Sequence, residues 1–335
     1  MTREQKAIET IRVLSVEQIT KAASGHPGIA LGAAPMLHTL YARIFNTSLK
    51  VPEWINRDRF ILAAGHGSAL LYSMLHLLGY NITINDLKDF RQYGSITAGH
   101  PEINVKLGIE VSSGPLGQGI PEGVGIALAE SFLAAKFNRD DLNIIHHYTY
   151  VLCGDGDLQE GVTQEAISFA GHFGLNKLIV LYDSNDIQLD GKVSNANSEN
   201  VKAKYEAMNW NHLFVEDGED LSSIEKAIRK AQKSDKPTII EIKTIIGRGS
   251  SSQNTSKVHG SPLPKEEVEK MRLELGGEEF TVTEDVYAYY EETFQKRGEK
   301  AYQEWLLQYQ AYQEKYPEDH LLLEKMIKDE VEIDF

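Results

Sequence analysis

Four short apolar runs punctuate the chain: "RFILAAG", "YTYVLCGDG", "NKLIVLYDSN" and "PTIIEIKTIIG". Together they are rich in β-branched residues, and they are bounded by Gly, Asn, Asp or Pro. Runs that stay apolar at successive positions, with no alternation, are the mark of strands buried on both faces, as in parallel sheets. Between them, "GQGIPEGVGIALAESFLAAKFN" and "EGVTQEAISFAGHFGLN" carry helical periodicity, and the second closes on "GLN", a helix C-cap pattern. The predicted fold class is therefore α/β: an open, mostly parallel sheet with helices on both faces.

The pattern stops after "IGRGSSSQNTSKVHGSPLP", a Gly/Ser/Pro-rich loop. Residues 263–335 turn acidic and tyrosine-rich, with Tyr302, Trp305, Tyr309 and Tyr312 three or four apart, which predicts amphipathic helices with an aromatic packing face. Two units are expected, residues 1–262 and a helical tail over residues 263–335. At the other end, "MTREQKAIETIRVLSVEQITKA" spaces Ile8, Ile11 and Ile19 as an amphipathic helix and carries charges throughout, so it does not read as a secretory signal. No apolar run reaches the length of a membrane span. The formal net charge of −15 opposes general affinity for nucleic acid or an anionic membrane, so neither is an expected partner. The only cysteine, Cys153, leaves no intrachain disulfide and suits a reducing, cytoplasmic setting; inside an apolar strand it reads as a small buried hydrophobe.

The chemistry concentrates at strand ends. "CGDGDLQEG" follows the second run and holds Asp155 between two glycines, just before a helix. Ligands of open α/β sheets sit beyond the carboxyl ends of strands, and a helix N-terminus favours an anion there. An ordinary strand-to-helix turn explains the motif equally well on its own. The next run ends in Asn185, 30 positions on, with Ile187 close behind. If the two strands are neighbours, a carboxylate, an amide oxygen and a main-chain carbonyl converge, a hard oxygen set suited to Mg²⁺, which Ca²⁺ could also fill. Of the 11 histidines, four lie in glycine-rich contexts: His26 in "SGHPG", His66 in "AGHGS", His100 in "AGHPE" and His259 in "KVHGS". Imidazoles so placed can donate to phosphate and sugar hydroxyls and move protons. His38, His76, His146, His147, His172, His212 and His320 lie in helical or charged stretches and receive no role. "SSGPLGQG" is a second glycine-rich loop opening a helix, able to close over a flat ring or a phosphate.

Taken together, "SGHPG", "DRFILAAGHGSALLY", "AGHPE", "SSGPLGQG", "GDGDLQEG", "YDSNDI", "EAMNW" and "HGSPL" resemble the transketolase family in order and spacing, over about residues 3–262. The resemblance implies thiamine diphosphate and Mg²⁺ as cofactors, with Asp155, Asn185 and the Ile187 carbonyl as metal ligands. It implies that His66, Gly156, Asn185 and His259 contact the diphosphate and that Gly114, Pro115 and Leu116 line the cofactor rings. It assigns His26, His100 and His259 to the sugar, and Glu160 to a hydrogen bond across a subunit interface. The implied reaction transfers a two-carbon ketol unit from a ketose phosphate to an aldose phosphate. In that family a glutamate and most of the groups gripping the sugar phosphate come from a following pyrimidine-binding domain, so a complementary half and a homo-oligomer are expected partners, and the chain alone is expected to be inactive. Two stretches depart from the pattern: "GRGSSSQNTSKVHG" lacks a Pro-Asn-Lys segment, and Pro121 and Glu122 replace small or neutral residues at a helix start. The alternatives are another thiamine-diphosphate enzyme (a deoxyxylulose-phosphate synthase or a decarboxylating dehydrogenase subunit) and a non-catalytic cofactor-binding or assembly module.

Overall fold

All four apolar runs form strands in the computed structural model, which describes residues 1–330. In chain order the strands are β1 (Arg59–Leu62), β2 (Thr149–Gly154), β3 (Leu178–Ser184), β4 (Ile187–Gln188), β5 (Gly191–Lys192), β6 (Asn211–Val215) and β7 (Thr238–Lys243). Five of them make one sheet in the order β1-β2-β3-β7-β6, parallel throughout. β4 and β5 form a separate antiparallel hairpin.

Continuous apolarity along the central strands follows from burial on both sides. Tyr150, Leu152, Ile179, Leu181, Ile240 and Ile242 face one core with the N-terminal helices. Val151, Cys153, Val180, Tyr182 and Ile239 face the other, with helices Gly119–Phe137 and Gly161–Phe173. β6 escaped the sequence pattern because only one of its faces is covered: Leu213 and Val215 are buried while Phe214 between them is exposed, so the strand shows no continuous apolar run.

Two elements differ from expectation. A separate turn of helix, Asp155–Gln159, comes first; the helix expected from residue 160 then forms unbroken as Gly161–Phe173, with Glu160 extended at its start, φ −73° and ψ 137°. It ends on Gly174 at φ 60°, the left-handed C-cap that the "GLN" pattern suggested. The N-terminal helix, Arg3–Ala22, is more than amphipathic. Every residue from Ile11 to Ile19 is buried, including Ser15, Glu17 and Gln18, because helices pack around it on several sides.

Beyond residue 262 the chain forms helices Lys265–Leu275, Glu284–Tyr290, Lys296–Lys315 and Pro317–Ile327. Val286, Tyr290 and Phe294 enter the main core. The aromatic stripe packs as expected: Trp305 stacks on Tyr309 at 4.6 Å between centroids, and Tyr312 is fully buried against Phe137 and Ile144. The last five residues of the expected tail, 331–335, lie outside the described residues. Cys153 is fully buried, with its thiol pushed well up by burial, as a packing residue. Among the described residues no helix is long and apolar enough to cross a membrane.

Candidate functional site at the strand tips

β2 and β3 are direct neighbours, paired from Thr149↔Leu178 to Gly154↔Asp183. That register sets Asp155 and Asn185 at adjacent strand tips. A cavity of about 350 Å³ opens there. Its lining brings together His26, His66, His100, Gly114, Leu116, Asp155, Gly156, Asn185, Ile187 and His259, residues gathered from seven separate stretches of the chain. Pro115 is exposed beside it, and Glu160 sits exposed under Gly117, outside the lining, with no hydrogen bond to its carboxylate among the described residues.

The oxygen donors are prepared unequally. Asp155 is 6% exposed; its Oδ1 accepts from the Tyr182 hydroxyl, whereas Oδ2 is buried with no partner. Burial, together with the charges of Asp183 and Asp186, pushes its carboxyl up to about 7 against the pull of the Tyr182 hydrogen bond. A buried carboxylate in that state lacks a positive charge. The Asn185 amide donates from Nδ2 to Asp183 Oδ2 at 3.0 Å, which fixes its flip, and its Oδ1 accepts from the Ile187 N–H at 3.0 Å. Asp183 is anchored in turn by the Thr244 hydroxyl. No three His, Cys, Asp or Glu side chains cluster at metal-holding distance among the described residues. Any cation here would therefore draw on amide, carbonyl and phosphate oxygens to complete its shell. The oxygen set fits Mg²⁺ and does not suit a soft metal.

Three imidazoles face one another across the same cavity. His66 stacks on His259 with centroids 5.3 Å apart and 20° between planes, and His26 lies 4.9 Å from His66 and 5.8 Å from His259. Burial first, then mutual repulsion and Arg91, lowers His26 to about 4; burial and the neighbouring histidines lower His66 to about 3. Burial also lowers His100, reinforced by Arg91, and His259. All four are neutral near pH 7, so each ring offers one N–H donor and one acceptor. The Nδ1 atoms of His26 and His259 are buried without partners. Two orphaned ring nitrogens and one orphaned carboxylate oxygen in one cavity call for a polar ligand that supplies several partners at once.

Sequence reading missed Tyr182, Asp157, Arg91 and Leu189. Tyr182 looked like one more apolar strand residue, and Asp157 like a first-turn acid. Leu189 lines the cavity from the β4–β5 turn. Gly–His loops, the Gly–Asp–Gly turn, a strand end and a second glycine-rich loop carried the signal that found the others, and none of these four stands out by a local pattern of its own. The remaining histidines are structural where they can be followed. Buried His38 accepts from the Tyr290 hydroxyl at Nδ1, 2.7 Å, and His76 meets the Ile82 carbonyl and the Tyr287 hydroxyl. A larger groove of about 1230 Å³ lies beside the N-terminal helix, but its Arg12 and Arg43 already pair with Glu9, Glu219, Glu4 and Glu225.

The family described as "Transketolase, thiamine diphosphate binding domain" matches residues 3–332. A transketolase from Bacillus subtilis is 52% identical over 340 aligned residues, covering 100% of this chain and 51% of that protein. Among solved structures, the transketolase of Pichia stipitis in complex with sedoheptulose 7-phosphate superposes with a TM-score of 0.94 at 45% identity, over 98% of this chain and 49% of the other. The transketolase of Leishmania mexicana gives 0.93 at 43% identity, over 97% and 49%. The chain thus spans about half the length of the curated relatives it matches.

Proposed function

The chain belongs to the transketolase family, matching its thiamine-diphosphate-binding domain, and on that premise we propose that it holds the diphosphate of thiamine diphosphate through Mg²⁺ for two-carbon ketol transfer between sugar phosphates. The family's cofactors are thiamine diphosphate and Mg²⁺. The observation that carries the reading is the buried, unpartnered Asp155 Oδ2 at the tip of β2, next to the tip of β3 and beside three facing imidazoles.

In this reading Asp155, Asn185 and the Ile187 carbonyl hold the cation. His66, Gly156, Asn185 and His259 meet the diphosphate, and Gly114, Pro115 and Leu116 cover the rings. When bound, the cofactor supplies the nucleophilic carbon that carries the two-carbon unit. The chain's own part is to orient and to manage protons. His26, His100 and His259, neutral before substrate arrives, donate to or accept from sugar hydroxyls, and a phosphate dianion nearby raises their proton affinity toward the useful range. Leu116, Ile29, Leu189 and Ile246 line the same cavity and exclude water from it.

The domain division belongs to the same reading. Residues 1–262 are the diphosphate-binding unit, and the helices after residue 262 lead toward a pyrimidine-binding half that supplies the glutamate and the basic residues for the sugar phosphate. A second copy of the chain completes the assembly, with Glu160 reaching across the interface. The experiment measures ketol transfer by the chain alone and after mixing with the complementary half of a related transketolase, with and without Mg²⁺. Turnover only in the mixture, and only with the cation, supports the proposal. Turnover by the chain alone removes the need for the second half, and failure of the chain to bind thiamine diphosphate in any mixture overturns the whole reading.

A further inference from the structure

Asp157 lies two residues beyond the expected metal ligand and is fully buried. Its Oδ2 accepts from the Gly154 N–H at 3.0 Å, within its own turn, and its Oδ1 accepts from the Gly117 N–H at 3.2 Å, from a loop 40 residues earlier. One carboxylate therefore bridges the tip of β2 and the second glycine-rich loop. We propose that Asp157 is a positioning residue that locks the loop 113–118 to the turn 154–156 and so fixes the spacing between the groups meeting the cofactor's diphosphate and those meeting its rings.

The surroundings of Gly117 leave that peptide no other seat. Gly117 has φ +83°, and a Cβ there would lie 2.4 Å from the Cβ of Glu160, so only glycine fits. Its carbonyl accepts from the Thr163 hydroxyl at 3.4 Å. The peptide is held from both sides, by Asp157 through its N–H and by Thr163 through its C=O. The neighbouring Leu116 then lies over the turn: its Cδ1 is 2.7 Å from where a Cβ on Gly156 would be. Leu116 and Gly156 both line the cavity, so moving the loop changes the gap between them. A shorter hydroxyl side chain could satisfy the Gly154 N–H as a local cap, but the two N–H groups come from different segments and need two acceptor oxygens on one rigid group. Buried carboxylates are costly unless hydrogen-bonded, and these two donors are what retain this one.

The ligand arm of the test rests on the proposed cofactor reading; the loop arm does not. The full chain is compared with Asp157→Asn and Asp157→Ala by hydrogen–deuterium exchange, and by calorimetric titration in Mg²⁺ with inorganic pyrophosphate or with thiamine diphosphate. Exchange of the peptide covering residues 112–119 rises about tenfold or more in Asp157→Ala, less in Asp157→Asn, while peptides of β3 stay protected. Affinity for pyrophosphate stays within about twofold, and the preference for thiamine diphosphate over pyrophosphate falls about tenfold. A merely structural residue would weaken both ligands alike. Unchanged exchange over residues 112–119, or equal weakening of both ligands, overturns the proposal. If the unsubstituted chain binds neither ligand, the titrations are repeated with the complementary half present; no binding there overturns the cofactor reading, and the exchange data decide the lock in either case. If β3 loses protection in Asp157→Ala, the same comparison is read from Asp157→Asn.

Discussion

Asp155 has two oxygens in opposite situations, and that asymmetry sets its chemistry. Oδ1 is held by Tyr182, leaving Oδ2 buried without a partner, the oxygen that the proposed cation would take. Partners that orient a metal ligand typically matter about 10–100-fold in metal affinity, so Tyr182→Phe is expected to raise the Mg²⁺ concentration needed for thiamine diphosphate binding by about that factor. Calorimetric titration of cofactor at a series of Mg²⁺ concentrations measures it. An unchanged Mg²⁺ requirement would mean that Tyr182 only fills space. At this scale the sequence was informative where residues sit in unusual local chemistry. Asp155, His26, His66, His100 and His259 all stand in glycine-flanked turns, where neither helix nor strand explains them. Tyr182 and Asp157 stand in ordinary-looking strand and helix-start positions, and their roles come from the β2–β3 register and from a loop closing from far along the chain. No spacing within one sequence encodes that.

At the scale of elements, ion pairs tie the helices after residue 262 to the N-terminal helix. Arg272 donates to both oxygens of Glu17, one bond 2.7 Å long, and the Phe280 N–H joins at 3.1 Å; both side chains are nearly inaccessible. Burial raises the Glu17 carboxyl despite Arg272 beside it, so removing the cation leaves an uncompensated buried charge. Arg272→Ala is expected to cost about 3–5 kcal/mol, read as a lowered urea midpoint, and Glu17→Leu/Arg272→Leu together much less. A double variant as unstable as the single would contradict this account. Glu4 gives the pH counterpart. The His38 Nε2–H contact, opposed by burial and aided by Arg43 and Tyr289, holds its carboxyl down to about 2. A depressed folded value means stability fully present above the ordinary value near 4.5 and lost as pH falls from there toward 2. Glu4 is partly exposed, so screening reduces its contribution to about 1–2 kcal/mol. Urea midpoints of the chain and of Glu4→Gln should differ at pH 7, draw together as pH falls below about 4.5 and converge only at about pH 2 and below; a pH-independent gap would rule out the linkage. The central strands were legible because burial on both faces writes a continuous apolar run. β6 was not, since it buries one face only and so short an alternation does not stand out; β1, at the opposite edge, is buried throughout and was legible. The separate turn Asp155–Gln159 was hidden for a related reason: five residues are too few to show helical periodicity, and only the backbone angles set it apart from Gly161–Phe173.

For the whole molecule, surface left uncovered says more than surface buried. Helices Gly119–Phe137 and Gly161–Phe173 pack together on one side of the sheet, yet they expose Leu128, Phe132, Val162, Phe169 and Phe173, with Phe132 at 57% and Phe173 at 54%. Phe132 follows Leu128 by four residues and Phe173 follows Phe169 by four, so each helix presents one outward apolar stripe. A stripe on each of two neighbouring helices is more than scattered surface hydrophobes require. Glu160 and Leu116 are exposed at the N-terminal ends of the same helices, beside the cavity. A partner seated on this face would therefore also close over the proposed site, so in the proposed reading assembly and turnover would depend on one another. The proposed homo-oligomer should depend on these aromatics. Large buried aromatics dominate interfaces at about 2 kcal/mol or more each, so Phe132→Glu/Phe173→Glu is expected to weaken self-association by about 100-fold or more. Sedimentation velocity over a concentration series measures it, with the urea midpoint as a control, since exposed substitutions normally shift stability by about 0.5 kcal/mol or less. A chain that is monomeric at every concentration would remove the proposed homo-oligomer, and a double variant that still associates would move the interface elsewhere. The same variant mixed with the complementary half then separates two roles of the face: if self-association disappears while turnover survives, the second copy stabilises the assembly without completing the site.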